Sequence, residues 1–293
     1  MELLTNLKDA ELKYNYPLRS LTSFKIGGKA RCLLIIHDES TLTHYVNTMD
    51  TANTPFYILG GGSNLLINDK GIEAPVIKLG AGFNFINRKG EALLEIGAGT
   101  SLSRVLNFCI KNNLGGLEVF AGMPATIGGM VVKNASSFGR EFSSFIRKIE
   151  VTDKQGKKCV FSKEEVRYGY RRTSLRGCVV TKVTVALRGG VDVKTMVKKF
   201  IEERMKHQDI NSPSAGCIFK NPKGKSAGLL IETCGLKGAT IGGASISSQH
   251  ANFIVNRGGA SAHDVVRLID LVKEKVWNEC GVLLEEEIER WAL

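Results

Sequence analysis

Short apolar runs bounded by glycine dominate the first half of the chain. RCLLIIH (31–37) reads as a strand, and ESTLTHYVNTMD (39–50) has the spacing of a short helix. PFYILGGGSNLLIND (55–69) joins a strand to a glycine loop and a further extended run. EALLEIGAGTSLSRVLNFCIKNNL (91–114) changes from strand to helical period after Thr100, where Leu102, Val105, Leu106 and Cys109 share a face. IRKIEVTDKQGKKCVFS (146–162) predicts a hairpin turning at 153–156, and CVVTKVTVALRGG (178–190) a strand ending at a glycine pair. A domain boundary is expected there, giving regions 1–190 and 191–293.

The second region opens with a helical pattern, VDVKTMVKKFIEERMKHQ (191–208), and a loop ending at Pro213. KSAGLLIETCGLKG (225–238) reads as a helix stopped by Gly235, and ASISSQHANFIVN (244–256) alternates like one strand. The clearest helix is SAHDVVRLIDLVKEKVWNECG (261–281). Ser261 and Asp264 form its capping box, Gly281 ends it, and Val265, Leu268, Ile269, Val272 and Val276 form its buried stripe.

Composition narrows the class. The 293 residues are 43% hydrophobic and 24% charged, as in a soluble globule of one large or two ordinary domains. The net charge of +11 favours an anionic partner. Nucleic acid is not expected, because the basic residues are interleaved with acids and no basic tail, zinc-ligand spacing or aromatic-basic signature is present. The 7 cysteines form no C-x-x-C, which reads as a reduced, cytoplasmic chain without metal ligation. The opening MELLTNLKDAELKYN lacks the apolar core of a signal peptide, and no run approaches a membrane span.

The glycines carry the chemistry. GGGSN (60–64) follows an apolar run directly, and successive backbone N–H groups in such a turn form a concave anion site, with Ser63 and Asn64 as further donors. It is not a dinucleotide fingerprint, because Leu65 stands where the last glycine of G-x-G-x-x-G is required and a strand-like run follows. Nor is it a Walker loop, since no Gly-Lys-Ser/Thr follows. GLEVFAGMPATIGGMVVKNAS (116–136), glycine-rich and almost uncharged, suits a backbone held close to a ligand; a buried turn against a sheet is the alternative. Spacing alone reaches a phosphate-bearing ligand held by loops.

Several motifs go further. TSFKIGGKA (22–30), LGGGSNLLIND (59–69), GAGTSL (97–102), FAGMPATIGGMVVKNASSFGRE (120–141), YGYRRTSL (168–175), SAGCIFKNP (214–222), ISSQHANFIVN (246–256) and GVLLEEEI (281–288) occur in this order. Together they closely resemble the short form of the UDP-N-acetylenolpyruvoylglucosamine reductases, the UDP-N-acetylmuramate dehydrogenases of peptidoglycan synthesis. The resemblance implies an α+β fold, with a two-subdomain FAD-binding region of the vanillyl-alcohol-oxidase (PCMH) type followed by an α+β substrate-binding domain. It also implies NADPH as hydride donor, a UDP-sugar enolpyruvyl ether as substrate, and a cytoplasmic monomer that needs no membrane.

Reduction of an enolpyruvate needs a hydride at C3, a proton at C2, and a cation or donor where charge develops on the carboxylate. In the resemblance the flavin N5 gives the hydride. Arg171 of YGYRRTSL is the charge-stabilising arginine, with Arg172 a surface charge, and Glu287 of GVLLEEEI assists proton delivery or orients the acid. Read without it, YRRTS is a charged loop and Glu285, Glu286 and Glu287 a solvated acidic terminus. Cys217 occupies the proton donor's position, where most members have serine; the alternative is a packing thiol, with a water giving the proton. A thiol, with an ordinary pKa of about 8.5, is mostly protonated at neutral pH and a far stronger acid than an alcohol. The resemblance further places Lys220, Asn221 and His250 at the substrate, a satisfied half-buried histidine being the alternative for His250. It places Gly60, Gly61, Gly62, Ser63 and Asn64 at the FAD pyrophosphate, and Gly122, Met123, Pro124, Gly128, Gly129 and Asn134 around the flavin. NASSFG (134–139) replaces a commoner Asn-Ala-Gly-aromatic pattern, leaving the local loop shape open. Two other classes compete: a different flavin oxidoreductase on the same scaffold, and a basic nucleotide-binding protein without activity.

Overall fold

A computed structural model describes residues 9–293, so most of the charged N-terminal stretch discussed above lies outside the described residues. The chain forms two compact units that do not follow a single cut in the sequence. The first takes the described part of 1–14 with 32–61 and 74–202; the second takes 15–31, 62–73 and 203–293. Strands and helices mix in both.

A four-stranded sheet, mostly of the first unit, runs in the order Ala10–Pro17, Lys29–Ile36, Val76–Leu79, Tyr57–Leu59. Val76–Leu79 is an interior strand, parallel to both neighbours, with Lys78 opposite Ile35 on one side and Leu59 on the other. Helix α1 (Glu39–Thr51) covers this sheet through Leu42, Tyr45, Val46 and Met49, which join Cys32, Leu34, Ile36 and Ile77 in one core cluster. Asp38 caps it by accepting from the Thr41 N–H at 2.9 Å.

A second, antiparallel sheet of the same unit runs Lys158–Ser162, Ile146–Thr152, Val179–Ala186, Leu93–Gly97, Ile86–Arg88. Helix α2 (Leu102–Asn112) buries Leu102, Val105, Leu106 and Cys109, the four residues that the sequence placed on one face. The glycine-rich stretch after it contains a helix that the sequence reading did not separate, α3 (Ile127–Val132). Its Ile127, Met130 and Val131 join the core cluster of α2 and this sheet. Helix α4 (Val193–His207) follows.

The second unit is built on a four-stranded antiparallel sheet, Ser214–Cys217, Phe253–Asn256, Ala244–Ile246, Thr240–Ile241. The expected single strand 244–256 is therefore two strands that pair with each other, Ser245 opposite Val255. Side-chain turn chemistry reverses the chain between them. The Ser247 hydroxyl accepts from the Gln249 N–H at 3.2 Å, and the His250 ring accepts from the Asn252 N–H at 3.2 Å. Helix α5 (Ala227–Thr233) is followed by Gly235 at φ +68°. Helix α6 (Ala262–Cys280) has the capping box of Ser261 and Asp264, left-handed Gly281 and the buried stripe foreseen above. Burial of each stripe residue contributes about 1.5–3 kcal/mol. A parallel pair, Leu65–Ile67 with Glu289–Trp291, ties the segment after the glycine loop to the C-terminal strand.

Candidate functional site

In the first unit the structure brings the two glycine loops together. A Cβ on Gly60 would lie 3.0 Å from the Thr126 hydroxyl, and one on Gly61 would lie 3.2 Å from both the Pro124 carbonyl oxygen and the Thr126 nitrogen. Gly61, Gly122 and Pro124 are exposed and Met123 half-buried, so bare backbone faces outward next to an apolar side chain. Gly122 holds a φ of +85°, a conformation that side chains rarely adopt. Gly128 packs closely on Ala98, its notional Cβ being 3.0 Å from that methyl. Glycine at 60 and 61 lets the two loops meet without side chains between them, and Gly61 leaves exposed backbone of the kind that would hold a diphosphate.

Arg171 sits at the tip of the hairpin formed by Tyr168–Gly169 and Arg172–Thr173, with φ +58°. A left-handed arginine costs about 1–2 kcal/mol relative to glycine, so its place is set by surrounding contacts. Its guanidinium donates to the Ser136 hydroxyl at 2.8 Å and to the Ser136 carbonyl at 3.3 Å, and it lies over the Tyr170 ring. Ser136 belongs to the NASSFG departure, and this loop is what steadies the arginine. Asn134, only 2% exposed, spends its amide inside the protein: it donates to Glu141 at 3.1 Å and to the Gly169 carbonyl at 3.3 Å, and accepts from the Ser143 N–H at 3.3 Å. It anchors the arginine hairpin from below. Arg172 is exposed.

In the second unit Gly62 and Asn64 secure the other half of the GGGSN loop. Gly62 has φ +65°, and a Cβ there would lie 2.1 Å from the Leu21 carbonyl oxygen. The TSFKIGG motif supplies that contact and more: Ser23 donates to the Gly62 and Ser214 carbonyls, and Asn256 donates to the Phe24 carbonyl. The Asn64 amide donates to the Glu287 carbonyl at 3.1 Å, so it holds the acidic strand. Ser63 is half-buried.

Cys217 and Glu287 come from neighbouring extended segments of this unit. The Glu287 N–H donates to the Ile218 carbonyl at 2.8 Å, and the Lys220 N–H to the Glu285 carbonyl at 2.8 Å. Cys217 follows a bulge: Ser214 pairs with Val255 but Cys217 with Phe253, leaving one extra residue, and Gly216 takes it up at φ +75°. Bulges of this kind re-aim a side chain beside active sites. Both Cys217 and Glu287 are half-buried.

Two further residues bear on this strand. Asn252, which sequence reasoning passed over inside the QHAN motif, is buried and clamps both sides of Phe219, accepting from its N–H at 2.9 Å and donating to its carbonyl at 2.8 Å. Arg204 on α4, also passed over, is 8% exposed and donates to Gln208 at 2.9 Å. Burial lowers its pKa, and Cys217 acts in the opposite direction, which puts the guanidinium within electrostatic reach of the thiol. No periodicity marks such a residue; only a charge on the apolar side of a helix could have signalled it.

The remaining expected positions are partly engaged within the protein. Lys220 pairs with Glu285, and Asn221 accepts from the Ala227 N–H at 3.0 Å at the start of α5. His250 stacks against Phe253 with ring centroids 4.8 Å apart, and burial lowers its pKa. It is therefore neutral at physiological pH, with Nδ1 accepting from Asn252. Glu286 is not solvated. Arg290 grips it at 2.7 and 2.8 Å and Lys273 donates to it; burial alone would raise its pKa, but these partners hold it below the usual carboxylate value.

Comparison with known proteins agrees with the motifs. The family described as FAD binding domain matches residues 30–162, and that described as UDP-N-acetylenolpyruvoylglucosamine reductase, C-terminal domain, matches 208–291. The chain is 37% identical over 294 residues to the UDP-N-acetylenolpyruvoylglucosamine reductase of Syntrophobacter fumaroxidans, covering 98% of this chain and 85% of that protein. It is 39% identical over 279 residues to the enzyme of that name from Heliobacterium modesticaldum, covering 93% and 88%. Among solved structures it is similar to UDP-N-acetylenolpyruvylglucosamine reductase from Thermus caldophilus, with a TM-score of 0.82 and 35% identity over 96% of this chain and 98% of that one.

Proposed function

The chain belongs to the UDP-N-acetylenolpyruvoylglucosamine reductase family, FAD-binding oxidoreductases of peptidoglycan precursor synthesis, and on that premise we propose how its own residues carry the reaction. Residues 1–190 serve as the PCMH-type FAD-binding region and 191–293 as the substrate-binding domain. NADPH is the reductant, the UDP-sugar enolpyruvyl ether the substrate, and the working form a cytoplasmic monomer. The seven free cysteines support a reducing compartment. Among the described residues no helix is long and apolar enough to cross a membrane.

When bound, FAD supplies the hydride for C3 of the enolpyruvyl group. Cys217 gives the proton to C2. Arg204 stabilises the thiolate left behind, because a nearby cation favours the charged form of an acid. Arg171, held by Ser136 and Tyr170, offers its guanidinium to the carboxylate on which charge develops. Glu287 orients the proton donor from the neighbouring segment. Lys220, Asn221 and His250 contact the UDP-sugar, His250 as a neutral donor through Nε2. Gly60–Asn64 cradle the diphosphate of FAD, and Gly122, Met123, Pro124, Gly128 and Gly129 line the flavin side. Asn134 supports the arginine hairpin from within.

The observation that carries this reading is the bulge at Gly216, which sets Cys217 apart from regular strand geometry next to the segment of Glu287. Purified protein should be yellow, and should consume NADPH with the enolpyruvyl nucleotide while forming its lactyl-ether product. A flavin-free protein, or one that oxidises NADPH without forming that product, would contradict the reading.

A further inference from the structure

Lys78 occupies a position where a charge is out of place. It lies on the interior strand Val76–Leu79, paired on both sides, in a parallel arrangement that normally selects Val, Ile and Leu. Its ammonium reaches the end of the neighbouring strand and donates to the Gly60 carbonyl at 3.4 Å. The side chain is half-buried, and no carboxylate pairs with it among the described residues. Burial alone lowers its pKa, so removal from water is uncompensated by any acid. A cation in such a place is costly unless an anion arrives to meet it.

Gly60 is the first residue of the glycine turn, and Gly61 lies bare against Pro124 and Thr126. An ammonium has three donors, of which the Gly60 carbonyl takes one. We propose that Lys78 is the fixed counter-charge of the dinucleotide's diphosphate at the Gly60–Gly61 turn, giving a binding site otherwise made of neutral backbone N–H groups its charge. The inference rests on the FAD reading above. Lys78 here is a binding residue remote from the reacting atoms: it selects flavins that carry phosphate, and the backbone cradle sets the direction of approach.

The test uses full-length protein stripped of flavin and titrated with FAD and with riboflavin, which lacks phosphate. Lys78→Met should weaken FAD binding about tenfold or more, the scale of losing a hydrogen bond to a charged group. Riboflavin binding should change less than about twofold, and Lys78→Arg should recover most of the FAD affinity. Equal FAD affinity in Lys78→Met, or an equal loss for both flavins, would overturn the proposal. A second measurement needs no variant. Lysine acetylation of wild-type protein, read by mass spectrometry, should label Lys78 in the flavin-free form and spare it in the FAD-bound form; labelling unchanged by FAD would also overturn it. Failure of wild-type protein to bind any flavin would instead overturn the FAD reading itself.

Discussion

At the scale of single residues, the candidate side chains have surroundings that differ sharply. Glu286 was indistinguishable from Glu285 and Glu287 in the sequence, yet it is held in an ion-pair cluster with Lys273 and Arg290. Its carboxyl pKa is lower folded than unfolded, so its stabilising contribution is full above the unfolded value of about 4.3 and is lost as pH falls through the lower folded value. Glu286→Gln should therefore cost about 1–3 kcal/mol at neutral pH, with the difference from wild type shrinking steadily below about pH 4.3. Urea titrations at several pH values check this, and a difference independent of pH would refute it. Cys217, Arg171 and Glu287 are proposed only through ordered motifs, because an isolated thiol, arginine or glutamate carries no spacing signal. Arg204 and Lys78 were not legible, since what distinguishes them is burial of a charge, which depends on the whole fold.

At the scale of elements, periodicity served well wherever one face packs on one core. Helices α2 and α6 bury the residues that their spacing indicates, and the capping box of α6 is present. It failed where local side-chain hydrogen bonds reverse the chain, as at Ser247–Asn252, because alternation continues through a hairpin without a break. The bulge before Cys217 was equally hidden, since a register shift depends on the partner strand. Two variants test these devices. A Cβ on Gly216 meets nothing within 4 Å, so Gly216→Ala carries only the cost of left-handed backbone, about 1–2 kcal/mol. It should lower turnover through Cys217 while leaving the rate of flavin reduction by NADPH unchanged; unaltered turnover would show that the bulge does not aim the thiol. Gly62→Ala collides with the Leu21 carbonyl and should lower both thermal stability and FAD content. Wild-type values for both would contradict the tight packing of that loop.

At the scale of the whole molecule, composition indicated a soluble globule, and the motifs indicated the family and its α+β class. The division of the chain was harder to read. The second compact unit recruits 15–31 and 62–73 as well as the C-terminal stretch, because Phe24 and Leu65–Ile67 find partners in strands far away by number, Phe24 at a separation of 232. A linear reading detects changes in composition, whereas these segments are joined by pairing. The central claim of the proposed chemistry is that Cys217 gives the proton to C2 of the enolpyruvyl group. An anaerobic single-turnover experiment tests it most directly. Enzyme first reduced with one equivalent of NADPH is mixed with the enolpyruvyl nucleotide, and the return of the oxidised flavin spectrum is followed. Wild-type protein should reoxidise, Cys217→Ser should do so more slowly, and Cys217→Ala should be slowed at least about a hundredfold, the contribution of a general acid, while accepting electrons from NADPH at the normal rate. Reoxidation of Cys217→Ala at the wild-type rate would contradict the account.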